Sequence, residues 1–157
     1  MENFILNGGD LYLRLVVAMV LGMLIGTERI IAHKTVGVRT YALITMGAAL
    51  FVLVSQMVGQ IYLNSFNISN IPAAIITGIG FLGTGLMIKK DDHPLGITSA
   101  ASFWISAGIG MACGFGFFNL AIFATILVLF IFVVLWFVEQ KIKKMTGYVE
   151  EEQIKNI

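Results

Sequence analysis

The sequence predicts an all-α integral membrane protein of five transmembrane helices, with the N-terminus outside and the C-terminus in the cytosol. Three observations predict it. The first is composition: 58% of the 157 residues are hydrophobic and only 12% are charged, about half the charge of a soluble domain. The second is segregation of that charge. Tyr41 to Ile88 is 48 residues without Asp, Glu, Lys or Arg, and Pro94 to Val138 is 45 more. A crossing takes about 20 apolar residues, so each stretch holds two, and these lengths favour full crossings over re-entrant pairs. The third is the distribution of Lys and Arg. Arg29, Lys34, Arg39, Lys89, Lys90, Lys141, Lys143, Lys144 and Lys155 all fall on one side of such a bundle, the side expected to be cytosolic. A missed or extra span would scatter them.

The first span is expected over about Leu11 to Thr27 and the second over Thr40 to Leu63. Asn64 to Asn70 is a polar turn, and Pro72 suits the first turn of a third span over Ile71 to Ile88. The charged run Lys89-Lys90-Asp91-Asp92-His93-Pro94 leads to a fourth span over Thr98 to Cys113. Gly114-Phe115-Gly116 is a tight connection, and the fifth span follows over Phe117 to Val138. Residues 1–140 are thus one five-helix transmembrane domain and 141–157 a short charged cytosolic tail. The first ten residues carry Glu2 and Asp10 and no Lys or Arg, unlike the basic start of a signal peptide.

Arg14 sits inside the first span, where Asp10 four residues earlier can pair with it near the outer interface. Gly78-x-Gly80-x-x-Gly83 spells a dinucleotide-binding pattern, but it lies within an apolar span instead of after a strand. Helix packing is the better reading, because small residues let transmembrane backbones approach. Gly22, Gly26, Gly78, Gly80, Gly83, Gly85, Gly108 and Gly110 are the expected packing positions, with Trp104 in the core against them. Spans one, three and four are then the packed centre, and span five faces lipid. So much glycine also admits a kink around Gly78–Gly85.

Sliding the chain by 59 residues sets Gly26 on Gly85, Gly37 on Gly96, Thr40 on Ser99 and Ala42 on Ala101. The pattern suits a parallel repeat of two helix hairpins plus a fifth helix. In each unit a cytosolic loop ends in glycine before Thr40 or Thr98-Ser99, expected helix N-caps. The free N–H groups and partial positive charge of helix N-termini favour an anion. The candidate ligand or ion site is therefore Glu28, Arg29, Arg39, Thr40, Thr98 and Ser99. The bland alternative has Glu28 paired with Arg29 or Arg39 to lock the loop, and Arg39 anchored to lipid phosphate.

Net charge is +1, which gives no case for nucleic acid. Lone Cys113 rules out an internal disulfide and reads as a small buried filler. No carboxylate lies mid-membrane, and there is no metal-ligand cluster or nucleophile–base pair, so neither enzyme nor cofactor is expected. A magnesium path usually offers one or two carboxylates. Here only glycine backbone or hydroxyls are available, and five helices would need an oligomer, a homodimer being favoured. The expected partners are membrane lipid, a second copy and another membrane protein.

The chain resembles the MgtC/SapB family of bacterial membrane proteins. The resemblance rests on Gly22-x-x-x-Gly26-x-Glu28-Arg29, on Gly37-Val38-Arg39-Thr40 and on Gly78-Ile79-Gly80-Phe81-Leu82-Gly83-Thr84-Gly85. It continues through Gly96-Ile97-Thr98-Ser99-Ala100-Ala101 and Trp104-x-x-Ala107-Gly108-x-Gly110. Ser99 stands where the family usually has Thr. These blocks lie in order across about residues 11 to 138, and the cytosolic C-terminal domain of longer members is expected to be lacking. The resemblance implies a multi-pass protein of the bacterial inner membrane, linked to magnesium homeostasis, growth at low magnesium and, in pathogens, intracellular survival. It implies either ion transport or regulation of another membrane machine such as the F-type ATP synthase or a pump.

Overall fold

The computed structural model describes residues 8–34, 36–61, 70–86 and 96–145, and among them every regular element is helical. The helices are α1 (Gly8–Ile31), α2 (Val38–Ile61), α3 (Asn70–Leu86), α4 (Ile97–Gly114) and α5 (Phe118–Phe130). From α5 the chain continues through a π-helical segment, Ile131–Leu135, into α6 (Trp136–Met145), all as one rod. The polar turn before Asn70, the charged run from Lys89 to Pro94 with His93, and Lys155 lie outside the described residues. Among the described residues, four helical stretches are long and apolar enough to cross a membrane: α1, α2, α4 and the α5–α6 rod. With 17 residues, α3 is the short one. The architecture is that of a multi-pass all-α membrane protein.

Two helices outrun the hydrophobic pattern. Helix α1 extends to Ile31 because Glu28 and Arg29 stay helical while finding partners inside the protein. The fifth rod runs on past Val138 to Met145, because Glu139 to Met145 is a series of good helix formers without Gly or Pro.

The packed pairs run both antiparallel and parallel. Gly26 of α1 lies against Val38, and Gly22 against Tyr41 and Thr45, so α1 and α2 run antiparallel. Tyr41 meets Ser102 and Thr45 meets Gly110, so α2 and α4 run parallel. Arg14 lies by Gly116 and Arg29 by Phe132, so α1 and the fifth rod also run parallel. The end of α1 and the starts of α2 and α4 therefore share one end with α6, and the 114–118 turn lies at the other. Lys34, Arg39 and Lys141 belong to the first of these, here called the basic end.

The core is a helical stripe on each of three helices. On α1 it is Arg14, Ala18, Leu21, Ile25 and Arg29, at spacings of three and four. Tyr41, Thr45, Ala48, Ala49 and Val52 face it from α2, and Phe103, Ser106, Ala107, Ile109 and Cys113 from α4. The core is built from α1, α2 and α4, with α4 also touching α3 and α5; this corrects the expectation of a core from spans one, three and four in one respect, since α2 takes the place expected for α3. A Cβ on Gly22 would sit 2.2 Å from Thr45 Oγ1, and one on Gly110 2.1 Å from the Thr45 carbonyl oxygen. Thr45 is thus gripped on one side by α1 and on the other by α4. Glycine marks the helices that do the approaching and need not mark the helix approached.

On α3 only Gly83 meets a neighbour, with its Cβ position 3.4 Å from Ala100 Cβ. Gly78, Gly80 and Gly85, and Gly108 on α4, have no such neighbour within 4 Å. Trp104 is also outward, 55% exposed. Each residue turns the helix about 100°, so Trp104 falls off the stripe formed by Ser102, Phe103, Ser106 and Ala107. Helix α3 stays continuous through its glycines. Among its described side chains the fifth rod buries only Ala121, Thr125 and Val128, and its other faces are open.

Candidate functional site

Glu28 and Arg29 lie at the basic end of α1. Arg29 is 3% exposed; its Nε donates to Glu28 Oε2 at 2.5 Å, and its guanidinium carbon lies 3.5 Å from the centroid of the Phe132 ring. An arginine buried among helices needs such partners. The ring face supplies attraction without a second carboxylate. The contact also fixes the fifth rod against α1 within its π-helical segment. Of the two pairings open to Glu28 in the sequence, the structure places it with Arg29.

Arg39 and Thr40 are exposed in the first turn of α2, and Thr98 is exposed with Ser99 half-buried in the first turn of α4. Neither Thr40 nor Thr98 is an N-cap, which corrects that expectation. Helix α4 starts at Ile97 directly after Gly96, whose φ of 108° makes the turn, and no side chain caps it. The Gly96 carbonyl accepts the first bond, from Ala100 N–H. Likewise the Gly37 carbonyl accepts from Thr40 and Tyr41 N–H. Glycine does the work at both starts, so the hydroxyls fall inside the first turn. Val38 and Ile97, the first residues of the two helices, are 59 apart. The surroundings differ, however: Gly26 is closely packed and its counterpart Gly85 is open.

A residue outside the predicted set joins these two helix starts. Tyr41 is fully buried, with its hydroxyl 2.5 Å from Ser102 Oγ and its ring edge-on to Phe103 at 5.3 Å. Ser102 Oγ donates its only hydrogen to the Ser99 carbonyl at 2.7 Å, so Tyr41 is the donor to Ser102. A tyrosine one turn inside an apolar helix signals in sequence that its hydroxyl has a partner. Phe132 carried no such signal, being one of many aromatics in an apolar run.

The opposite end holds Arg14, 3% exposed. It donates to Asp10 Oδ2 at 2.8 Å, as the spacing predicts, and to the Gly114 carbonyl at 2.9 Å, which the spacing does not. The second bond caps the C-terminus of α4, where free carbonyls and the helix dipole favour a cation. Gly116, at φ 84°, lets the chain turn beside the guanidinium. Cys113 is buried nearby as a small filler.

Midway, the hydroxyls bond within their own helices. Thr45 donates to the Tyr41 or Ala42 carbonyl, Ser106 to Ser102 and Thr125 to Ala121, all inside the core. Thr77 and Thr84 do the same on the exposed face of α3. Among the described residues no group of three or more His, Cys, Asp or Glu is placed to hold a metal ion.

With this geometry in hand, the chain is similar to known proteins along its helical body. The sequence model of the MgtC family matches residues 15–141. "Protein MgtC" of Salmonella typhi is 39% identical over 141 residues, 90% of this chain and 59% of the relative. An "Uncharacterized protein" of Haemophilus influenzae is 42% identical over 125 residues, 76% of this chain and 52% of its own. "Putative magnesium transporter YhiD" of Escherichia coli K12 is 35% identical over 126 residues, 78% of this chain and 59% of its own. The chain thus spans between half and three fifths of the length of these relatives. No solved structure matches.

Proposed function

The chain belongs to the MgtC family, and from that premise we propose that it serves magnesium homeostasis in the bacterial inner membrane. The observation that carries this reading is the family match across residues 15–141, nearly all of the helical body, together with the likeness to a relative named a putative magnesium transporter. In this reading the basic end, with Lys34 and Arg39, faces the cytosol and the N-terminus lies outside. The protein works as a homo-oligomer, a dimer first, with no catalytic step and no cofactor of its own.

Ion passage in this reading runs between copies. The core hydroxyls of one chain are committed to their own helices. Thr77 and Thr84, seven residues apart on the open face of α3, are the hydroxyls a second copy could meet. The test is magnesium flux into proteoliposomes of the pure protein, with Glu28→Gln and Arg39→Ala as variants. Flux that either variant removes supports transport. No flux, together with a partner that copurifies, supports a second reading as a non-transporting regulatory subunit of another membrane protein, such as the F-type ATP synthase or a pump. The open small-residue face of α3, with Ala73, Gly80 and Thr84, favours that second reading.

A further inference from the structure

Helix α3 leans on α4 through Gly83 and Ala100, and α2 is held between α1 and α4. Between α2 and α3 this leaves a groove of about 850 Å³, within the roughly 300–1,000 Å³ of small-molecule sites. Ile44, Ala48 and Phe103 line its buried side. Gly47 on one wall and Gly78 on the other lack side chains where a Cβ would meet nothing within 4 Å. The width of the groove is therefore set by missing side chains.

Three properties identify an occupant. The groove runs along α2 from Thr40 to Phe51, about 17 Å at 1.5 Å per residue. That is close to the depth of one leaflet, half of a roughly 30 Å hydrocarbon core. Its lining is apolar except at one end, where Thr40 supplies a hydroxyl. At that same end Arg39, next to Thr40, is exposed, while the neighbouring carboxylate of Glu28 is engaged by Arg29. An apolar slot one leaflet long, with an exposed arginine beside the residue that closes one end, has the charge and polarity pattern of an anionic phospholipid. A transmembrane helix of a partner would have no use for the cation, and a free phosphate none for the slot.

We propose that the α2–α3 groove seats an anionic phospholipid, its acyl chain along Gly47 and Gly78 and its phosphate at Arg39. The site is independent of whether the protein moves magnesium. The apolar walls hold any acyl chain about as well as the surrounding lipid does, so discrimination comes from the headgroup. One arginine near the surface is worth roughly a fivefold preference for anionic over neutral lipid.

The test uses the whole chain in a mild detergent, with melting temperature read against added phosphatidylglycerol, phosphatidylcholine or inorganic phosphate. Phosphatidylglycerol is expected to raise it at roughly fivefold lower concentration than phosphatidylcholine, and phosphate to do nothing. Arg39→Gln should abolish the preference while keeping the response to both lipids. Gly78→Leu, whose Cβ would meet nothing within 4 Å, should fill the slot and abolish the response to both, and Gly47→Leu does the same from the other wall if Gly78→Leu fails to fold. Equal response to the two lipids, a preference untouched in Arg39→Gln, or stabilisation by phosphate alone overturns the proposal. So does a dimer that Gly78→Leu or Gly47→Leu disrupts while the lipid response stays intact, which would make the groove a contact between copies.

Discussion

Two glycines two residues apart on α4 should respond to alanine with opposite signs. At Gly110 a Cβ would lie 2.1 Å from the Thr45 carbonyl oxygen, 2.8 Å from its carbon and 2.9 Å from its Cα. All three atoms are backbone, so no rotamer change relieves the clash. Ordinary contact begins at 3.4 Å, so α2 and α4 must part locally by about 1.3 Å. That opens the tightest seam of the core, where Tyr41, Thr45 and Ala49 lie fully buried. Overpacking of this kind costs about 1–3 kcal/mol. At Gly108 a Cβ would meet nothing within 4 Å. There alanine relieves only the poor helix propensity of glycine, a gain of up to about 1 kcal/mol. Unfolding of each variant in monomeric detergent micelles, followed by circular dichroism, measures both. Gly110→Ala is expected to melt well below the parent and Gly108→Ala at or above it. A Gly110→Ala protein as stable as the parent would refute the claim that glycine sets the α2–α4 distance.

Arg14→Gln should cost about 1.5–3 kcal/mol through the lost charged bond to the Gly114 carbonyl. Asp10→Asn should cost under about 1 kcal/mol, because Asp10 is 41% exposed and its ion pair is screened; denaturation of the two variants gives the order. Ser102→Ala should cost more than Tyr41→Phe, about 1–3 against about 1 kcal/mol, since it strands a buried donor. The double variant should then be less costly than Ser102→Ala alone, read by the same melts. Phe132→Leu should lose up to about 2 kcal/mol, and most of that loss should vanish in an Arg29→Met background. For orientation, a membrane-impermeant maleimide on intact cells should label Asn119→Cys and spare Lys34→Cys, both in a Cys113→Ala background. The reverse pattern would invert the protein.

Much of the fold is legible because the bilayer demands it. Helices are the form in which a single segment satisfies its backbone in hydrocarbon, so apolar runs broken by Asn64–Asn70, Lys89–Pro94 and Gly114–Gly116 translate directly into helices. The Asp10–Arg14 and Glu28–Arg29 pairs are local in sequence and were readable for that reason. The candidate site was readable only as two helix starts. Glycine, not hydroxyl, turns out to begin α4, because the chain needs a positive φ there.

By itself, then, the sequence determined the succession of apolar helices and the gathering of Lys34, Arg39 and Lys141 at one end, since these follow from segment length and charge. Tertiary structure alone decided which faces meet. A glycine reports that close approach is allowed, and only the packing says whether anything approaches. Gly22 and Gly110 close on Thr45 and set α2 into the core between α1 and α4, whereas Gly47 and Gly78, the same residue type, are left open and make a groove.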